Sequence, residues 1–275
     1  MSNITRLILI LSVPFILFSV VGYVLAGFFG AFSGLVLFGV FNIFLYYYSE
    51  NIIIRMYCAR PLSREKYPII HKSVFDLSKN AEISEPQLYI VDADTPSAFV
   101  CGMKKPFVIA VTSGLVQVCD EREVEAVIAR EFAQIMGGHV LVSTLSSMFS
   151  LSLLYPFEKI LGYCISKKKG YDAIFRIPAL IVAPFAAVFV RAANRASFSI
   201  ELDGAGAKLS KKPACLSSAL EKISREVKYR PLKVGSHATT ALFISNPFNG
   251  SLLSKFFLVH PTLEVRIAGL KKLVI

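Results

Sequence analysis

Charged and apolar residues are sharply segregated along this chain. From Leu7 to Ser49 no residue is charged. A helical membrane span takes about 20 apolar residues, so the stretch predicts two transmembrane helices with a break in the glycine-rich middle, Gly27 to Gly34. The run Tyr46-Tyr47-Tyr48 suits an interfacial aromatic belt. Arg6 and Arg55 flank the stretch on one side, which the positive-inside rule makes cytoplasmic. A cleaved signal peptide is excluded by the lack of a short apolar core ending at small residues. A third block, Val140 to Phe157, is long enough to span. A fourth, Ile177 to Val190, is short and holds Pro178 and Pro184, so both spanning and re-entrant forms stay open. Lys167, Lys168 and Lys169, lying between the two, oppose a simple hairpin.

Between these blocks the pattern changes. Pro61 to Leu77 predicts a helix. Leu88–Val91, Ala98–Val100 and Phe107–Val111 are short apolar runs punctuated by glycine, proline and aspartate, which predicts a small antiparallel sheet. Asp120 with Glu123 three residues on forms a capping box and opens a helix. Further helices are expected near 195–210, 214–228 and 262–273. The predicted class is an α+β integral membrane protein, mostly helical. Its divisions are a helix hairpin (1–50), a first domain part with sheet and helix (51–139), a second hydrophobic pair (140–190) and a second domain part (191–275).

Composition supports this division. Of 275 residues 54% are hydrophobic and 18% charged, against about 45–50% and about 25% in soluble domains. The net charge of +11 gathers beside the apolar blocks, at Arg55, Arg60, Arg64 and Lys66. It reads as juxtamembrane charge facing a lipid bilayer with anionic headgroups. No basic stripe interleaved with aromatics is present, which argues against nucleic acid. Five scattered cysteines without a C-x-x-C pair are neither a disulfide framework nor a zinc cluster.

On the helix opened by Asp120, Val124, Val127, Ile128 and Ile135 form a stripe at helical spacing, and Glu131 falls on it. A carboxylate on a core face is costly unless paired or used. Around it the sequence resembles the HtpX-type membrane zinc metallopeptidases over nearly its whole length. The resemblance rests on Thr95-Pro96-Ser97-Ala98-Phe99-Val100-Cys101-Gly102, Ile109 to Leu115, Glu123 to Ala129, Asp203 to Leu209, Leu242 to Pro247 and His260 to Ile267, in that order. It implies an H-E-x-x-H zinc helix and a glutamate ligand beyond a second hydrophobic pair. It also implies a peptide held against a sheet edge, here Val108, Ile109, Ala110 and Val111.

The ligands themselves are substituted. The first histidine falls on Arg130, the second on Gln134 and the glutamate ligand on Ser199, while the general base, Glu131, and the supporting aspartate, Asp203, remain. Catalytic zinc needs three protein donors and a water, and guanidinium has no lone pair to give. No cofactor is therefore expected. A rearranged zinc site could draw on Glu131, His139, Glu201, His237 or His260. The reading favoured is a pseudopeptidase in the inner (plasma) membrane, multi-pass with a cytoplasmic domain. It would bind membrane-protein or peptide segments, or a partner protease, in membrane protein quality control. An active metalloendopeptidase with a rebuilt site and a membrane scaffold are the alternatives.

Overall fold

The computed structural model describes residues 3–166, 183–184, 186–188, 190–191, 196–248, 256–258 and 260–273. Lys167 to Lys169 and most of Ile177–Val190 lie outside the described residues.

Helix α1 (Asn3–Met56) carries non-helical backbone at Ala26 and Gly27, the latter at φ 61° and ψ −143°. Only glycine adopts that conformation without a Cβ clash. There the helix folds back on itself. Phe15 and Phe18 of the first arm meet Phe38 of the second at 5.9 and 5.8 Å. Gly22 abuts the Gly30 backbone and Gly34 the Phe18 backbone, so closely that a methyl group would overlap the facing carbonyls. Where two spans were expected, one helix among the described residues, Phe18–Met56, is by itself long and apolar enough to cross a membrane, with 6% of its apolar window buried. The chain is nonetheless broken at Ala26–Gly27, where the backbone is not helical, into two arms that pack against each other.

The sheet has the order β1-β2-β4-β3, built from β1 (Arg60–Pro61), β2 (Gln87–Val91), β3 (Ala98–Cys101) and β4 (Val108–Thr112). Its outer pairings are antiparallel, but β2 and β4 run parallel, so the sheet is mixed rather than antiparallel. Strand β4 is central, not an edge: Val108 to Val111 bond to β2 on one side and β3 on the other. Helix α2 (Pro68–Asn80) starts later than expected, with Pro68 in its first turn, because Pro61 belongs to β1 opposite Tyr89.

Both faces of the sheet are covered. Phe99 and Cys101 of β3 join one core cluster with Tyr57, Phe149 and Phe243, and Ala98 and Val100 join a second with Val74, Ile128 and Ile223. Helix α3 (Ser113–Val118) follows β4 directly, and α4 (Glu121–Met136) opens with the expected Asp120–Glu123 capping box. At Gly137–Gly138 the chain turns 88° into α5 (His139–Ser166). Gly138, at φ 67°, supplies the turn. Phe149 of α5 then packs on Phe38 and Phe41 of α1 at 6.5 and 5.8 Å. The last helices are α6 (Ala196–Ser210), α7 (Pro213–Tyr229) and α8 (Leu263–Lys271), with a 3-10 turn at His237–Leu242.

Helix α6 lies hard against α4. A Cβ on Gly206 would stand 2.5 Å from the Arg130 Cα and 2.8 Å from its amide nitrogen. Asp203, Gly206 and Ala207 are buried on this contact face, while Ala205 is exposed. Overpacking such a contact costs about 1–3 kcal/mol. Gly206→Val is therefore expected to lower the melting temperature of the detergent-purified protein, while Gly204→Ala, whose Cβ meets nothing closer than 3.8 Å, leaves it nearly unchanged.

Candidate functional site

The α4–α6 contact places Arg130, Glu131 and Gln134 of α4 beside Ser199 and Asp203 of α6, all buried. These are the five positions singled out in the sequence, and the fold brings them together. Glu131 is fully enclosed and Arg130 is 2% exposed. The Arg130 Nη1 donates to Glu131 Oε1 at 2.8 Å and to Gln134 Oε1 at 3.1 Å. Its Nε lies 3.6 Å from Asp203 Oδ1, an ion pair too long for a hydrogen bond. Gln134 passes the chain on, its Nε2 donating to Ser143 Oγ at 3.2 Å.

Two further residues complete the site: Arg266, which was not singled out as a site residue from sequence, and His260, which was named only as a possible ligand of a rearranged zinc site. Arg266 of α8 grips Asp203 with both arms, Nε to Oδ2 at 2.6 Å and Nη2 to Oδ1 at 2.7 Å, and gives Nη1 to the Ile244 carbonyl at 2.9 Å. His260 places Nδ1 3.1 Å from Ser199 Oγ and Nε2 3.4 Å from the Thr240 carbonyl. No local signal in the sequence marked Arg266 for this role, because its partner Asp203 lies 63 positions away.

The electrostatics follow from enclosure. Two carboxylates and two guanidiniums balance, but the balance is not fully hydrogen-bonded: Glu131 Oε2 and Arg130 Nε have no hydrogen-bond partner. Burial pushes the Glu131 carboxyl above its ordinary value, against the pull of the adjoining Arg130 guanidinium. Burial also holds His260 down to about 3, with the positive charges of Arg266 and Arg130 acting in the same direction. His260 is thus a neutral imidazole.

The donor set does not fit a zinc ion. Where the ion would have its first nitrogen ligand there is a cation already paired with Glu131 and Asp203. Gln134 and Ser199 offer neutral oxygens engaged with Arg130 and His260, and zinc prefers imidazole, thiolate or carboxylate. The alternative ligands do not gather either. His139 stacks on Phe198 at 4.7 Å, His237 bonds to Glu158 at 2.8 Å, and Glu201 faces outward. Among the described residues no three His, Cys, Asp or Glu side chains converge as a metal site.

The outer edge of β3, the strand nearest α4, is also engaged. Phe243 bridges Phe99, and the Ile244 amide donates to the Ala98 carbonyl at 3.0 Å. Arg266 holds that same Ile244 carbonyl, so the sheet edge and the charged site share one residue.

Comparison with known proteins gives a consistent picture. A model described as peptidase family M48 matches residues 63–274. A protease HtpX homolog of Thermococcus kodakarensis is 35% identical over 85% of this chain and 83% of its own length. One from Pyrococcus furiosus is 35% identical over 92% and 90%. One from Salinibacter ruber is 33% identical over 98% of each.

Two outcomes follow from the site. Removing one partner of a buried ion pair costs about 3–5 kcal/mol, so Arg130→Ala should lower the melting temperature far more than Gln134→Ala; equal small shifts in thermal unfolding would contradict the pairing. His260 is neutral in the folded protein, whereas the unfolded chain takes up a proton below its ordinary value of 6.5. Its contribution is therefore complete above that pH and lost as pH falls toward 3, at about 1.4 kcal/mol per unit. Melting curves between pH 7.5 and 5 should fall more steeply for the parent than for His260→Asn.

Proposed function

Since the chain belongs to peptidase family M48, whose frame it keeps while lacking a zinc donor set, we propose that it is a membrane-held pseudopeptidase. The observation that carries this reading is the Arg130 guanidinium, which sits within the site and pairs with Glu131 and Asp203. In the metallopeptidase mechanism the glutamate deprotonates a metal-bound water whose acidity the ion supplies. Glu131 here has an arginine for a neighbour, and no step of hydrolysis runs through it.

What remains is binding. The sequence points to clients that are membrane-protein or peptide segments, or to a partner protease, in quality control of membrane proteins. Strand addition at β4 is closed, because both its sides are used. The second arm of α1 and its turn leave Val24, Leu25, Phe28 and Phe29 at 77–84% exposure, an apolar surface suited to lipid or to a client's spanning segment. We place the protein in the plasma membrane, multi-pass, with the sheet domain on the cytoplasmic side where Arg55 lies.

Metal analysis and casein cleavage of the detergent-purified protein test the reading, with Glu131→Gln as control. Substoichiometric zinc and no difference between parent and control are expected. Stoichiometric zinc with cleavage lost in the control would mean that donors are recruited from elsewhere, His260 first, and would overturn it. A triple variant, Arg130→His with Gln134→His and Ser199→Glu, restores a complete donor set on the same frame and is expected to bind zinc.

A further inference from the structure

The turn between β3 and β4, residues 102 to 107, is tied to the end of α1 from several directions. Gly102 packs so close to Glu50 that a Cβ there would stand 3.0 Å from Glu50 Oε1 and 3.1 Å from the Phe107 ring, and its φ of +139° is one only glycine holds without strain. Glu50 Oε1 is buried against the turn. Lys104 lays its ammonium over the Tyr47 ring at 5.5 Å from the centroid. From the other side, the Gly102 amide donates to Thr144 Oγ1 of α5 at 3.1 Å.

Those anchors fix the level at which the turn sits. Tyr46, Tyr47 and Tyr48 are 43–56% exposed at the cytoplasmic end of the apolar arm, where aromatic residues settle at the lipid–water boundary. Below them, at Phe38 and Phe41, α1 meets Phe149 of α5. Thr144 is a little over one helical turn above Phe149, so α5 crosses the same boundary beside the turn. Lys104 and Lys105 are exposed there, and neither forms an ion pair among the described residues. The Glu50 carboxylate lies near Lys104 without forming an ion pair with it, its Oε1 buried and without a hydrogen-bond partner.

Building on the membrane placement above, we propose that the β3–β4 turn is a lipid-headgroup contact, with Lys104 and Lys105 binding anionic phospholipid against the tyrosine belt. A lysine at a membrane surface is drawn to anionic lipid at short range, and two together enrich that lipid locally. The contact also serves the site. Strand β3 runs from this turn to the Ala98–Ile244 bond and so to Arg266, which places the charged site a fixed distance from the bilayer surface.

The chain contains no tryptophan, so single reporters can be placed in the full-length protein. Met103→Trp, which keeps both lysines, reports the turn, and Leu37→Trp, whose parent side chain is 60% exposed on the spanning arm, reports the membrane itself. Each is put into nanodiscs of phosphatidylcholine and phosphatidylglycerol in equal parts, with one or the other lipid brominated near the glycerol end of its acyl chains. At the turn, brominated phosphatidylglycerol is expected to quench about two-fold more than brominated phosphatidylcholine. Adding Lys104→Glu to the Met103→Trp protein, with Lys105→Glu, should make the two equal. Equal quenching in the lysine-bearing protein, or none, overturns the headgroup contact. A Leu37→Trp reporter quenched by neither lipid overturns the membrane placement instead, so the two failures are distinct.

Discussion

Two buried carboxylates need two positive charges, and this requirement organises the domain. Glu131 comes from α4, Asp203 from α6, Arg130 from α4 and Arg266 from α8. Helices distant in sequence are held together at one electrically neutral point. Arg266 extends the grip to the Ile244 carbonyl, and Ile244 in turn holds the edge of β3. Removing any one member leaves an uncompensated charge in a medium that solvates it poorly, which is why such pairs are costly to break even when they add little net stability. The apolar clusters on either face of the sheet supply the bulk of the folding energy. The charges set how α4, α6 and α8 meet.

The same point bears on the proposed loss of zinc chemistry. In a zinc peptidase the carboxylates of this frame are neutralised by a dication and its imidazoles; here a guanidinium carries out that neutralisation from within the chain. Arginine keeps its proton under all ordinary conditions, so the charge it supplies cannot be titrated away or exchanged for an ion. The carboxylate that would act as base is left with one oxygen bonded to Arg130 and one without a hydrogen-bond partner. Its charge is balanced by Arg130.

Much of this was legible in the chain. The capping box at Asp120 and Glu123, the apolar stripe carrying Glu131 and the small residues after Asp203 fixed the two helices whose contact forms the site, because local spacing governs each. Strand order was less legible. The apolar runs marked where β2, β3 and β4 lie, but pairing is a non-local choice, and Val108 to Val111 were placed at an edge when the parallel β2–β4 pairing puts them inside. Proline misled at Pro61, where a helix start and an edge-strand residue carry the same backbone signal. The role of Arg266 could not be read from its own neighbourhood, since its partner lies 63 positions away.

The backbone contact between Gly206 and Arg130 has a consequence for how such a protein can change over generations. Because α6 touches α4 through main-chain atoms at this position, the side chain at 130 can be exchanged without moving either helix. Evolutionary drift between a metal-binding sequence and this one is therefore not limited by packing. It is limited by charge: Asp203 keeps Arg266 as its partner in either sequence, but a chain with neither metal nor Arg130 would leave the Glu131 carboxylate buried and uncompensated, a costly intermediate.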